Sequence, residues 1–348
     1  MNRGLLRALR GIATGAFLLT LKSTLAFADG PQATPSIFAP ASTPANSILN
    51  LSYFVLAVTA GIFLVVGGLL AYVIVRFRYR PDKHDDREPA QIFGSTQIEL
   101  GWTVIPILIV VVLFLTTARV IFAIQDAPKP PGALDVTVVG HQFWWEYRYP
   151  KLGVVAANEL HVPLSNSSHP SPTFLKILSA DVVHSFWVPQ LAGKTDLIPN
   201  HPNDMWIDPL LPGLYVGQCA QFCGVQHAKM LLRVYVDPPE QFAAWVKGQQ
   251  QLGIQDPSVA AGRRVFETQA CMNCHTIRGT AATGRFGPDL THLMSRDTLG
   301  SGAALNTKEN LRRWIKDPDS FKPGCLMPAM QLNDEQVDQL TAYLATLK

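Results

Sequence analysis

CAQFCGVQHAKM, residues 219–230, sets two cysteines four apart, a histidine four further on and a methionine three beyond that. Four chemistries use such a set: a disulfide, a zinc knuckle, a blue-copper loop, or a site for two copper ions. A Cys219–Cys223 disulfide leaves His227 and Met230 without a role. Zinc takes thiolate and imidazole readily and has little use for a thioether. A sulfur-rich set that includes methionine favours copper, because soft ligands suit Cu(I) and imidazole suits both oxidation states. A single blue-copper ion uses one thiolate, and here there are two. Two thiolates, two imidazoles, a thioether and a backbone carbonyl suffice for two ions sharing both sulfurs. Such sharing spreads the odd electron over both metals, so little rearrangement accompanies its transfer. The second imidazole must come from another loop, and His184 in ADVVHSFWVP is the candidate.

A second set follows. CMNCH, residues 271–275, is the attachment pattern of c-type haem, with thioether links from Cys271 and Cys274 and His275 as proximal ligand. A thioredoxin-like reading of the same pair needs a βαβ context, whereas the flanking sequence is helical. GRFGPDL (284–290) and KPGCLMPAM (322–330) are similar to the haem-packing and distal-ligand segments of class I cytochromes c. Met327, directly before proline, is the preferred sixth ligand and Met330 its rival. Cys325 is left over and reads as a small buried hydrophobe.

Both sets must be positioned, and the compartment matters. Hydrophobic residues make up 48% of the 348 and charged residues 16%, a balance that leans toward a partly membrane-embedded chain. Residues 51–75 carry no charge and exceed the ~20 residues that cross a bilayer. Residues 100–122 form a second apolar stretch. The loop 76–99 between them holds Arg76, Arg78, Arg80, Lys83 and Arg87, whereas residues 29–50 hold no lysine or arginine, so the loop is expected in the cytoplasm and both flanks outside. Residues 1–28 read as an export signal: Arg3, Arg7 and Arg10, an apolar stretch, then Ala26-Phe27-Ala28. The remainder is therefore expected in an oxidising space, where an unligated cysteine pair would be at risk. Five cysteines, four of them in two tight pairs, fit ligand and attachment sites better than a disulfide framework.

Residues 132–240 are rich in short Val, Phe, Trp and Tyr runs broken by Pro, Gly, Asn and Ser, which predicts an all-β sandwich or barrel. PPEQFAAWVKGQQ predicts an exit helix. From 256 to 348 the pattern is helical, and Val337, Leu340, Leu344 and Leu347 mark one face of a closing helix. Asn333 is placed to cap it, with Gln336 at the reciprocal position.

The hairpin, the DVVHSFWVP and GKTD segments and the C-x-x-x-C-G-x-x-H-x-x-M loop resemble subunit II of cytochrome c oxidase over about residues 45–240. That resemblance implies a two-helix transmembrane hairpin and a cupredoxin-like domain. It also implies a binuclear CuA centre held by His184, Cys219, the carbonyl of Gln221, Cys223, His227 and Met230. The haem segment makes the whole similar to the fused-cytochrome (caa-type) oxidases, with an all-α class I cytochrome c domain at 256–348 that relays electrons to CuA. The family usually has Glu at position 221, where the carboxylate also helps bind magnesium against subunit I; the amide of Gln221 is a weaker ligand. GHQFWW (140–145) has Phe143 where oxidases fed by free cytochrome c commonly have the tryptophan that receives electrons. Glu99 matches a residue at the mouth of a proton-uptake channel in the family. A lone acidic residue at a helix start is otherwise a solvated one.

The two spans contain no histidine, so the site of oxygen reduction must lie in a partner. The resemblance implies subunit I, and with it subunit III, in a bacterial inner membrane. The expected donor is a periplasmic cytochrome c or a quinol-oxidising complex. A net charge of +3 with no dense basic run argues against a nucleic-acid partner. A membrane-tethered copper carrier would have no use for covalent haem. His141, His161, His169 and His201 read as structural or surface histidines.

Overall fold

Long apolar runs form two helices, α1 (Thr43–Arg76), with Pro44 in its first turn, and α2 (Thr96–Gln125), with Pro106 inside it. Both outrun the apolar stretches at 51–75 and 100–122, because backbone hydrogen bonding continues through the polar ends after hydrophobicity stops. Large apolar side chains are exposed on every side of them, including Phe63, Leu64 and Phe114. A helix apolar all round needs an apolar surrounding. The computed structural model describes residues 35–78, 91, 93–165, 170–254 and 256–348. The expected signal at 1–28, most of the basic loop and His169 lie outside the described residues.

The hairpin is fastened to the domain that follows. Ser42, fully buried, bridges to Pro209 and its hydroxyl accepts from the Asp208 N–H at 2.9 Å. Thr43 Oγ1 donates to Asp208 Oδ2 at 2.5 Å, and the Ala41 N–H to the Gln190 carbonyl at 2.8 Å. At the far end of the hairpin, Trp206 Nε1 donates to the Ile124 carbonyl at 2.7 Å.

Ten strands then build a sandwich. One sheet has the order β3 (Val154–Ala157), β2 (Trp144–Tyr149), β1 (Leu134–His141), β5 (Thr173–Ser179), β8 (Asn203–Ile207). The other has β4 (Glu159–Pro163), β10 (Leu231–Asp237), β9 (Gly213–Cys219), β6 (His184–Trp187), β7 (Thr195–Leu197). The pairs β1–β5 and β4–β10 are parallel and the rest antiparallel. Alternation sends Trp145, Tyr147 and Tyr149 of β2, Val136 and Val138 of β1 and Leu232, Val234 and Val236 of β10 into one core.

The exit helix α3 (Pro239–Gln249) leads to a smaller core built by α4 (Ala260–Thr268), α5 (Cys271–Cys274), α6 (Lys308–Lys316), α7 (Pro318–Phe321) and α8 (Asp334–Leu344). Asn333 and Gln336 form the reciprocal cap of α8, and Val337, Leu340, Leu344 and Leu347 are buried. The region is not purely helical. A two-stranded ribbon, β11 (Thr298–Leu299) with β12 (Ala304–Leu305), corrects the all-α expectation. Gly300, Ser301 and Gly302 all have positive φ, which a right-handed helix cannot accommodate.

Candidate copper and haem sites

Strand register brings the sulfur-rich loop to a single point. β9 and β10 are hairpin neighbours, with Leu231 opposite Gln218, so the loop leaves at Cys219 and returns at Met230, whose carbonyl accepts from the Cys219 N–H at 3.0 Å. β6 lies on the other side of β9, with Phe186 opposite Cys219, which delivers His184. Gly140 of β1 makes the room. A Cβ there would stand 2.9 Å from the His184 ring.

The donor atoms converge. Cys219 Sγ lies 3.8 Å from Cys223 Sγ, 4.0 Å from His184 Nδ1 and 3.2 Å from the Gln221 carbonyl. Cys223 Sγ lies 3.8 Å from His227 Nδ1 and 3.9 Å from Met230 Sδ. His184, Cys219, Cys223 and Met230 are buried, while the Gln221 side chain is exposed and only its carbonyl faces inward. The hydrogen bond between the two sulfurs lowers the Cys219 thiol below its ordinary range and pushes Cys223 up. One sulfur is thus readily a thiolate. Two thiols, two imidazole nitrogens, a thioether and a carbonyl form a set that fits a soft metal.

His184 is aimed by a neighbour that the sequence motif did not single out. Asp181 Oδ1 sits 2.8 Å from His184 Nε2, leaving Nδ1 toward the sulfurs. Burial acts to lower the His184 pKa, but hydrogen bonds to Asp181 and Cys219 outweigh it and the net shift is upward. Such partners fix ring orientation and tautomer. Asp181→Ala is expected to weaken copper binding by about 10–100-fold, measured by competition against a chelator of known affinity.

His141 and His161 are structural. His141 pairs with Glu146 Oε2 at 3.0 Å and stacks on Trp144. His161 pairs with Asp237 Oδ2 at 2.7 Å between the rings of Tyr235 and Trp245. His201 is exposed.

The second site lies across a seam from the first. Cys271 and Cys274 occupy one turn, α5, and His275 follows it. His275 Nδ1 donates to the Pro288 carbonyl at 2.7 Å, so Nε2 is free. Burial pushes the imidazole below its ordinary value, with the Pro288 carbonyl opposing, which favours the neutral form a ligand needs. A Cβ at Gly287 would stand 2.5 Å from the His275 ring. These groups border a cavity of about 360 Å³ that Met327 and Met330 also line. Met327 Sδ accepts from Trp314 Nε1 at 3.2 Å. The donors and the largely apolar lining fit a covalently held haem. Cys325 is half-buried and lines the same cavity, more open than expected, with its thiol toward the Met327 carbonyl at 3.6 Å. Glu99 stands apart, exposed in the first turn of α2.

The cavity is also bordered by Gln142, Phe143 and Trp144 of the sandwich, and Gln142 Nε2 donates to the Cys223 carbonyl at 2.7 Å. No local sequence pattern marks this turn as common to both sites.

A hairpin suited to a membrane, a cupredoxin-like sandwich with a sulfur-rich metal loop, and a cytochrome c-like region define a membrane-anchored electron-transfer protein. Its parts match known families in the same order: "Cytochrome C oxidase subunit II, transmembrane domain" at residues 31–120, "Cytochrome C oxidase subunit II, periplasmic domain" at 168–236, and "Cytochrome c" at 259–348. Cytochrome c oxidase subunit 2 of Alkalihalophilus pseudofirmus is 35% identical over 311 residues, covering 87% of this chain and 86% of the relative. That of Bacillus subtilis is 30% identical over 329 residues, covering 88% and 90%. The periplasmic domain of subunit II of cytochrome oxidase from Bradyrhizobium japonicum aligns with a TM-score of 0.32 at 28% identity, over 35% of this chain and 96% of that one. The chain belongs to the cytochrome c oxidase subunit II family, in the form that carries a C-terminal cytochrome c domain. It is a two-span membrane protein and an oxidoreductase subunit, associated with the other oxidase subunits, and copper and haem c are its cofactors.

Proposed function

We propose that this subunit passes electrons from haem c, attached through Cys271 and Cys274 and ligated by His275 and Met327, to a binuclear CuA centre and on to subunit I. CuA is held by His184, Cys219, the Gln221 carbonyl, Cys223, His227 and Met230. Oxygen is reduced to water in subunit I with proton pumping. The observation that carries this reading is the convergence of six donors within about 4 Å links around two facing sulfurs. Two sulfurs at the centre suit a shared pair of ions better than a single one.

The finer points follow from the same reading. Residues 1–28 act as the export signal, and residues 132–240 and 256–348 work on the extracytoplasmic side of a bacterial inner membrane. A periplasmic cytochrome c or a quinol-oxidising complex supplies electrons to the haem, and subunit III accompanies subunit I. Glu99 lies at the mouth of a proton-uptake path, and any magnesium at the subunit I interface meets the amide of Gln221. The test is copper and haem quantification with EPR on the full chain in detergent. Two coppers per haem, with hyperfine structure from one electron shared by both, is expected. One copper with a localised signal, or zinc, would overturn the assignment.

A further inference from the structure

Residues 35–348 form one compact unit, and two charged side chains cross the seam within it in opposite directions. Glu159, from β4 of the sandwich, is 4% exposed. Its carboxylate accepts from the Asp297 N–H at 2.9 Å, the Thr298 N–H at 3.0 Å and Thr298 Oγ1 at 3.1 Å, all beyond the seam. Lys322, from the haem-binding region, is 2% exposed. Its ammonium donates to the Phe143 carbonyl of the sandwich at 2.7 Å and to the Gly300 carbonyl of its own side at 2.9 Å. Arg233 Nε stands 3.9 Å from Glu159. Lys322 has no carboxylate in hydrogen-bond contact among the described residues.

Further contacts join the two sides: Arg233 lies 3.8 Å from the Asp297 carboxylate, and Tyr235 Oη donates to the same carboxylate at 2.5 Å. Ser301 Oγ donates to the Leu231 carbonyl at 2.9 Å, and the Gln226 amide donates to the Pro323 carbonyl. Gly324 comes so close to Val225 that a Cβ would stand 2.7 Å from its side chain.

Burying a charge is unfavourable unless hydrogen bonds replace its water. What such groups supply is uniqueness of position more than stability. An apolar seam can slide, whereas Lys–carbonyl and Glu–amide geometry is met in one arrangement. The place that Lys322 holds is also informative. Phe143 borders the haem cavity, and the preceding residue, Gln142, is hydrogen-bonded to the carbonyl of Cys223 in the copper loop. Electron tunnelling falls exponentially with distance, so a fixed wall between the two sites fixes the rate.

We propose that Glu159 and Lys322 form a reciprocal latch that holds the cytochrome domain on the copper domain in one pose, making both positioning residues for haem-to-copper electron transfer. The latch rests on the copper and haem reading above. It makes the cytochrome a seated relay, as opposed to one that swings on residues 250–256.

The test uses the assembled oxidase with photochemical reduction of haem c, following haem oxidation and copper reduction in time. Wild-type transfer is expected to be a single phase, indifferent to viscosity and to salt, since docking through surface charge would be screened. Lys322→Met and Glu159→Gln are each expected to slow it by about tenfold or more and to split it into several phases. The haem spectrum and copper EPR should stay unchanged. In the metal-free chain, hydrogen exchange at the Asp297 and Thr298 amides should rise in both variants. If Lys322→Met fails to retain haem, Lys322→Gln, which keeps an N–H donor on a shorter chain, is measured in its place and should show a smaller slowing. Unchanged transfer in variants that hold both cofactors, or a viscosity-dependent wild-type rate, would overturn the latch alone. A wild-type chain lacking either cofactor signal would overturn the site reading and the latch with it.

Discussion

In a Cys223→Ser chain, the EPR signature of an electron shared by two coppers is expected to disappear while the haem spectrum stays intact. Cys223 is the hub of the donor set, 3.8 Å from Cys219 Sγ, 3.8 Å from His227 Nδ1 and 3.9 Å from Met230 Sδ. A serine oxygen is hard, weakly acidic and too short to span two soft ions, so in the proposed centre it would not serve as the bridge. Removing an outer partner of a metal ligand costs roughly 10–100-fold, and removing a bridge should cost well beyond that in turnover. The haem cysteines belong to a different core, which makes them an internal control for folding. During turnover the haem should remain reduced, because electrons arrive and cannot leave. Retention of two coppers with a shared electron would show that Cys223 is not a bridge.

Gly262→Ala is expected to have the largest effect on stability. Gly262 lies where α4 crosses α8, and a Cβ there would stand 1.9 Å from the Gln339 carbonyl oxygen, 2.6 Å from its carbon and 2.8 Å from Tyr343 Cβ. The obstacle is backbone, so no rotamer change relieves it and the two helices must separate. Overpacking of this kind costs about 1–3 kcal/mol, and the upper end is expected here. The gain of about 1 kcal/mol in helix propensity on replacing glycine by alanine does not offset it. Denaturant unfolding followed at the haem should show the loss. Gly248→Ala in α3, where nothing lies within 4 Å of the added carbon, should be neutral or slightly stabilising.

What could be read from the chain alone was local. The metal loop compresses four side-chain donors and a carbonyl into twelve residues, CMNCH packs attachment and ligation into five, and the Asn333–Gln336 cap spans four. The apolar runs declared the hairpin because a buried soluble helix is rarely apolar on every side for so long. What escaped depends on register and docking. Gly140 serves His184 only because β1 passes beneath it, and Gln142 reaches Cys223 across 81 positions. Asp181 sits three residues before His184, and that i, i+3 spacing was a signal that could have been followed. Glu159 and Thr298 lie 139 positions apart, and each alone looks like an ordinary polar residue. The ribbon at 298–305 was hidden in a glycine-rich stretch too short to show alternation.

The fastening of both helix ends to the β8 edge has a mechanical consequence. Thirty-four helical residues at 1.5 Å each make α1 about 50 Å long, against a hydrocarbon layer of about 30 Å. A helix longer than its bilayer tilts or projects beyond it. With Ser42, Thr43 and Ile124 all tied to the strand that carries Trp206 or to the residues just after it, tilt cannot be absorbed at a loose joint. Any tilt of the hairpin is therefore passed to the domain that carries the sulfur-rich loop.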